Sequence, residues 1–287
     1  MAIALGPVVV GVDGSGESMA ALEWAATAAN DRGAELRILH AGVDTQVLDE
    51  AQTFARAAGA HVEVTTLLVD GDAGETLVRM SERAGLVVVA SHGHSRIHDT
   101  FATSVALHTA MHAHCPVVVI RPYKPAVEGM REAEGRVLLG VDGSEQSPAV
   151  VAFAFAEAQR LGVGVTALHT WIQPVASGHD SLVPLATDLE ALQHENEAIL
   201  SEAVAAARAD HPDVDVRQVI MQTGAGAAII DASMGARLVV IGSRGRGPVT
   251  GLLLGSTSQA VLHHAGCPVA VVHSGFGGTG FARSEPG

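Results

Sequence analysis

The chain is almost without lysine. Lys124 is the single lysine among 17 basic residues, and it sits in a Tyr-Lys-Pro context. A Walker-type phosphate loop needs Gly-Lys-[Ser/Thr], and Schiff-base chemistry and kinase-like phosphate pairing also need a placed lysine. All three are excluded. Cysteine is nearly as scarce. Cys115 and Cys267 belong to no CxxC or Cys/His zinc pattern, and each precedes a proline and an apolar run. They read as small apolar residues at the start of buried strands. Basic excess is missing too. The net charge is −14, and no basic arm or face stands out, which argues against nucleic acid as a partner. No run approaches the roughly 18 uninterrupted apolar residues of a membrane span. The N-terminus has no basic region ahead of its apolar stretch, so no secretory signal is read there. A cytoplasmic location is expected.

What is present is ample apolar material, 48% hydrophobic against 17% charged over 287 residues. That suits roughly two domains. The chain also repeats itself. VVVGVDGS at 8–15 matches VLLGVDGS at 137–144, and His40 matches His169, both at an offset of 129. LVVVASHGH at 86–94 matches LVVIGSRGR at 238–246, and HCPVVVI at 114–120 matches GCPVAVV at 266–272, now at 152. The second copy therefore carries an insertion, placed by Pro174, Gly178 and Pro184 at about 171–195. Split at 128/129, each half carries −7. This is a duplicated domain, not a short-period solenoid.

Each copy alternates strand and helix. Copy one predicts strands at 8–12, 35–41, 61–69, 86–90 and 117–121, with helices at 17–32, 46–58, 73–84 and 103–113. Copy two predicts strands at 137–141, 163–170, 214–221, 238–242 and 268–273, with helices at 146–161, 187–209, 225–235 and 256–265. Continuous Val/Ile/Leu runs suit parallel strands buried on both faces. The fold class is α/β, two tandem doubly wound five-stranded parallel-sheet domains, Rossmann-like in type. The domains are read as 1–123 and 135–273, with a linker at 124–134 and a Gly-rich tail at 274–287.

Ligands of such sheets bind beyond the C-terminal strand ends, near a switch point. Two features meet there. One is the turn after the first strand, Asp13-Gly-Ser15 and Asp142-Gly-Ser144. Its Asp can accept hydrogen bonds from a ligand and its Ser can cap the next helix. Taken by itself, a plain strand-to-helix turn with no ligand is the stronger reading of it. The second feature is Gly242-Ser-Arg244-Gly245, then nine residues, then Gly255-Ser256-Thr257-Ser258 opening a helix. Glycines admit close backbone approach, and a helix N-terminus favours a phosphate. Arg244 and Arg246 can add cationic contacts.

Gly242-x2-Gly245-x9-Gly255-Ser256 resembles the nucleotide-binding signature of universal stress proteins. The VDGS turn, the Leu-His ending strand two and the Cys-Pro-Val before strand five resemble the same family, over nearly the whole chain, in the tandem form of actinobacterial members. The resemblance implies an adenine nucleotide α-hydrolase-like fold with strand order 3-2-1-4-5, ATP with Mg²⁺ as the ligand, and pairing of domains through the fifth strands, Val117–Ile120 and Val269–Val272. It places Asp142 and Thr170 on the adenosine side, and Gly242, Arg244, Gly245, Gly255, Ser256, Thr257 and Ser258 on the ribose and phosphates. A homodimer and a regulatory protein partner are further implications.

Copy one departs from this pattern. Asp13, Ala41, His92, Gly93 and Ser104 hold the matching places, but Ala90 replaces the first glycine and Thr103 the third. A Cβ at each crowds a backbone–ligand contact, so copy one is expected to bind nucleotide more weakly or not at all. Other readings are weaker. His92, His94, His98, His108, His112 and His114 cluster without a metal motif. Ser91-His-Gly-His94 resembles the HxGH motif of nucleotidyl transferases only in part and follows the wrong strand. No GxSxG elbow or placed general base marks a catalytic set. The function expected is an ATP-dependent stress-response module; the alternatives are a slow ATPase, or a protein-binding scaffold with vestigial sites.

Overall fold

A computed structural model describes residues 6–91, 105–126, 128, 132–144, 147–172, 175–178, 181–184, 189–244 and 254–273. The chain divides into two compact units, one of residues 1–122 with 249–255 and 268–287, the other of 123–248 with 256–267.

Unit one runs β1 (Val8–Gly11), α1 (Gly16–Arg32), β2 (Leu36–Ala41), α2 (Gln46–Ala57), β3 (Val64–Val69), α3 (Ala73–Ser81), β4 (Leu86–Ala90), α4 (Val105–His112) and β5 (Val117–Ile120). The strand order is β3-β2-β1-β4-β5, all parallel. Val8, Val9, Val10, Val87, Val88, Val117 and Val118 have no exposed surface. That is the state expected of strands covered by helices on both faces. Helix ends follow local chemistry. Ser15 caps α1 by accepting from Ser18 N, and Gly33, at φ +59°, closes it in the left-handed region. Asp72 caps α3 through Glu75 N.

Unit two contains β6 (Val137–Val141), α5 (Ser147–Leu161), β7 (Val165–Thr170), β8 (Val175–Gly178), β9 (Ser181–Pro184), α6 (Leu189–Asp210), β10 (Val216–Met221), α7 (Ala225–Ala232), β11 (Leu238–Gly242) and α8 (Ser256–His264). The parallel order is β10-β7-β6-β11. The last strand of the second repeat, β12 (Val269–Val272), is grouped with unit one and pairs antiparallel with β5, Val269 opposite Val119 and Val271 opposite Val117. The doubly wound α/β fold read from the sequence is therefore the one observed, and the fifth-strand pairing is present.

The insertion holds more order than its prolines and glycine suggested. β8 and β9 form an antiparallel hairpin, Gly178 opposite Ser181. α6 spans 22 residues where α2 spans 12. Read as punctuation alone, Pro174, Gly178 and Pro184 hide the short strands that they bracket. The stretch 124–134 is held on unit two: Lys124 N donates to Gly266 O at 2.7 Å, Gly235 N to Lys124 O at 2.9 Å, and Thr166 Oγ1 to Glu132 O at 2.8 Å. Among the described residues, no helix is long and apolar enough to cross a membrane.

One brace recurs in both repeats. Ser81 Oγ accepts from His114 N at 2.8 Å and donates to Val78 O at 2.6 Å. Ser233 Oγ accepts from Gly266 N at 2.8 Å and donates to Ile230 O at 2.6 Å. Each hydroxyl ties the end of a helix to the loop entering the Cys-Pro-Val strand. Ser233 has no exposed surface, so its loss leaves a buried amide without a partner. Ser233→Ala is expected to lower stability by about 1–3 kcal/mol, read as a shifted urea midpoint at unchanged slope. An unchanged midpoint contradicts the brace.

Candidate functional site

In unit two the tips of β7, β6 and β11 end side by side. Val141 is level with His169, and Leu139 with Val240, so Asp142, Thr170 and Gly242 share one end of three adjacent parallel strands. β6 is the switch point, since the chain goes from it to β7 on one side and later to β11 on the other. The turn beyond β6 is tightly made. Asp142 Oδ1 accepts from Ser144 N at 2.9 Å, and Gly143 sits at φ +69°. That backbone state favours glycine. One oxygen of Asp142 therefore shapes the turn.

α8 is joined to this end of the sheet. Ser258 is buried, and its hydroxyl donates to Gly242 O at 2.7 Å. This bond sets the helix N-terminus beside the β11 tip. Ser258 thus positions the helix, while Ser256, its first residue, is exposed and Thr257 is half-buried. Gly255, half-buried, immediately precedes the helix. Arg244 is exposed. Gly245 and Arg246 lie outside the described residues. Ser243, between Gly242 and Arg244, is 1% exposed, and its Oγ has no hydrogen-bond partner among the described residues. The pattern Gly242-x2-Gly245 gives it no role.

Unit one repeats the frame. Asp13 Oδ1 accepts from Ser15 N at 2.9 Å and from Ser15 Oγ at 2.6 Å, and Gly14 sits at φ +82°. Ala41 and Ala90 end β2 and β4, both half-buried, and Ser91 N donates to Ile120 O at 2.9 Å. His92, Gly93, His94, His98, Thr103 and Ser104 lie outside the described residues. A buried histidine stands under each turn. His40 Nδ1 lies 2.9 Å from Val12 O, and His169 Nδ1 lies 2.7 Å from Val141 O. Matched positions just past β2 and β7 carry exposed apolar side chains, Val43 at 91% and Ile172 at 72%. Sequence reading did not single them out, because an apolar residue in a loop has no signal until its exposure is known.

Among the described residues, no group of three or more His, Cys, Asp or Glu side chains is placed to hold a metal. His108 and His112 stack with ring centroids 4.4 Å apart, and His112 Nδ1 lies 2.9 Å from the His108 carbonyl of its own helix. A cavity of about 560 Å³ runs between α5 and α6, lined by Val151, Ala152, Ile199 and Ala203 and reaching Gly143 and Ser144. Both cysteines are buried free thiols.

The family model described as "Universal stress protein family" matches residues 5–52, 42–121 and 135–273. The chain belongs to the universal stress protein family. One universal stress protein of Mycobacterium tuberculosis is 36% identical, with 92% of this chain and 96% of the relative covered, and another is 32% identical over 92% and 95%. Among solved structures, a universal stress protein from Archaeoglobus fulgidus aligns with a TM-score of 0.61 at 21% identity over 93% of this chain and 96% of that one. A functionally unknown protein from Pseudomonas aeruginosa aligns at 0.67 with 18% identity over 95% and 94%. At those identities the structural likeness speaks for the fold alone. Coverage above nine-tenths on both sides shows that the relatives share the full two-repeat length.

In this universal stress protein the thiol of Cys115 is pushed up to about 12, chiefly by burial. The folded value stands above that of an unfolded thiol, so the contribution to stability is full below about pH 8.5 and declines as pH rises toward the folded value. Cys115 is expected to resist iodoacetamide in the native chain at neutral pH and to react once the chain is unfolded in urea, as read by peptide mass spectrometry. Rapid native labelling contradicts the assignment.

Proposed function

We propose that this universal stress protein binds ATP, with Mg²⁺, at the strand tips of its second repeat and serves as a nucleotide-dependent regulatory module of the stress response. The observation that carries this reading is the Ser258–Gly242 hydrogen bond, which puts a helix N-terminus against a glycine strand tip at the switch point of a parallel sheet. Three further features support it. The half-buried Gly242 offers backbone without a Cβ. The exposed Arg244 suits a polyphosphate. The buried Ser243 hydroxyl, without a partner among the described residues, fits a polar group brought by a ligand.

In this reading Asp142 and Thr170 line the adenosine side, Gly242, Arg244, Gly245, Gly255, Ser256 and Thr257 meet ribose and phosphates, and Ser258 holds the helix in place. Ile172 adds an apolar surface for the base. Repeat one keeps Asp13, Ala41, His92, Gly93 and Ser104 but carries Ala90 and Thr103, so its backbone admits a nucleotide less closely. The module acts in the cytoplasm as a homodimer, and occupancy biases its contact with a regulatory protein partner.

Calorimetry of the full chain with Mg-ATP tests the reading. About one equivalent per chain is expected. Gly255→Val is expected to weaken binding at least about tenfold, a loss of roughly 1.4 kcal/mol, with the unfolding midpoint unchanged. Two equally tight equivalents per chain, or wild-type affinity in the variant, contradict it.

A further inference from the structure

The helix pair α5–α6 of the second repeat is the counterpart of α1–α2 in the first, but its facing side chains are smaller. FARAAGAHV at 54–62 matches AARADHPDV at 206–214 at the offset of 152, and α5 matches α1 at 129. Ala206 thus stands where the first repeat has Phe54, Pro148 where it has Met19, Val151 where it has Leu22, and Ala152 where it has Glu23. The two frames correspond in detail. Val47 of α2 lies beside Gly14, where a Cβ would come within 3.6 Å of its side chain, and its match Ile199 lines the α5–α6 cavity together with Gly143. In the first repeat Phe54 and Met19 are half-buried and Leu22 has no exposed surface. In the second, the four smaller residues border a cavity of about 560 Å³. Protein interiors leave few voids larger than a water molecule. A hollow bordered by a reduction at each matched position therefore reads as room for an occupant, and its size falls in the roughly 300–1,000 Å³ range of small-molecule sites.

The cavity is long, and its floor is apolar. Its lining runs along α6 from Ile199 to Asp210, about 17 Å at the helical rise. Val151 is 3% exposed and Ala207 8%, so the floor is closed. Pro148, Glu202, Ala206 and Asp210 are exposed at the mouth. An apolar body laid on this floor takes both surfaces out of water. A flat apolar group suits the frame, since the first repeat sets the Phe54 ring at the matched position.

The lining carries charge of one sign. Its carboxylates are Glu202 and Asp210. His211, at the far end, has Nδ1 2.6 Å from Gln159 Oε1. The arginines of these helices are placed otherwise: Arg160 is paired with Glu157 at 2.9 Å, and the exposed Arg208 is not part of the lining. Carboxylates at the mouth of an apolar trough attract a cation and repel an anion. We propose that the α5–α6 cavity is a ligand site of its own, taking one elongated apolar or aromatic amine whose body lies along the α6 floor and whose ammonium group faces Glu202 and Asp210. The site does not rest on the nucleotide reading.

The test uses the full chain without nucleotide and two fluorescent molecules of one shape and opposite charge: dansylcadaverine, a primary amine, and dansyl-6-aminohexanoate, a carboxylate. Titration followed by the blue shift of dansyl emission is expected to show saturable binding of the amine at about one equivalent per chain. The carboxylate is expected to bind at least about tenfold more weakly. Ala206→Phe, which restores the side chain of the first repeat, should weaken amine binding at least about tenfold. Its position is exposed, so the urea midpoint is expected to hold. Pro148→Met fills the cavity from the other helix and should act in the same direction. Glu202→Gln combined with Asp210→Asn should bring the two molecules to within about threefold of each other. Four results each overturn the proposal: no saturable binding of the amine, equal affinity for both molecules in the wild-type chain, wild-type amine affinity in a filling variant that keeps the wild-type urea midpoint, or an undiminished preference for the amine in the charge variant.

Discussion

The structure depends on one constraint, that the central strands of each repeat's main sheet are parallel and covered on both faces. A strand buried this way is apolar along most of its length, and the polar side chains it does hold, such as Thr166 and His169 of β7, are spent on hydrogen bonds to neighbouring backbone. Parallel pairing then sends every strand's C-terminal end to the same side, and the chain must cross back through a helix each time. All chemistry is thereby pushed to the tips and to the first turns of the returning helices. β6 lies between β7 and β11, so Asp142, Thr170 and Gly242, spread over a hundred positions of the chain, end on three neighbouring strands.

Duplication makes the tips comparable. The Asp-Gly-Ser turn is built alike in both repeats, with Oδ1 of the aspartate on the serine amide and a glycine in the left-handed region. The histidine below it bonds the carbonyl just before the aspartate in both. The scaffold is thus held to the same geometry twice. What differs is attached to it: Gly242 against Ala90 at the fourth strand tip, and a long helix α6 against a short α2. The two copies of one frame thus differ at their tips by a few Cβ atoms and one inserted segment, and the proposed difference in nucleotide binding rests on these.

Much of the frame was legible in the sequence because its signals are local. Wholly apolar runs such as Val8–Val10 mark buried strands, and Ser15 and Gly33 mark the two ends of α1. The repeat located the switch point, since VDGS recurs beside the later glycine loop. Other parts were not legible, for physical reasons. The hairpin of β8 and β9 lay inside a stretch whose Pro174, Gly178 and Pro184 read as breakers, although the pairing needs only four residues a side. Ser258 read as a ligand contact, but its bond to Gly242 O depends on a carbonyl sixteen residues away. Ser243 and Ile172 carry no pattern at all. One matters by being buried without a partner among the described residues and the other by being apolar and exposed, and both are properties of the folded chain. The Asn196–His169 bond joins two elements across the insertion, where the repeat offers no template.

The central proposal is that one frame is used twice and that the second copy presents the backbone more open to a nucleotide, the first binding more weakly or not at all. Photolabelling of the full chain with an azido-ATP analogue in the presence of Mg²⁺, followed by peptide mapping, tests it most directly. The account expects label on peptides from the β6–α5, β7 and β11–α8 tips, competed by ATP, and little on their counterparts in the first repeat. Equal, competable labelling of both repeats, or label confined to the first, contradicts it.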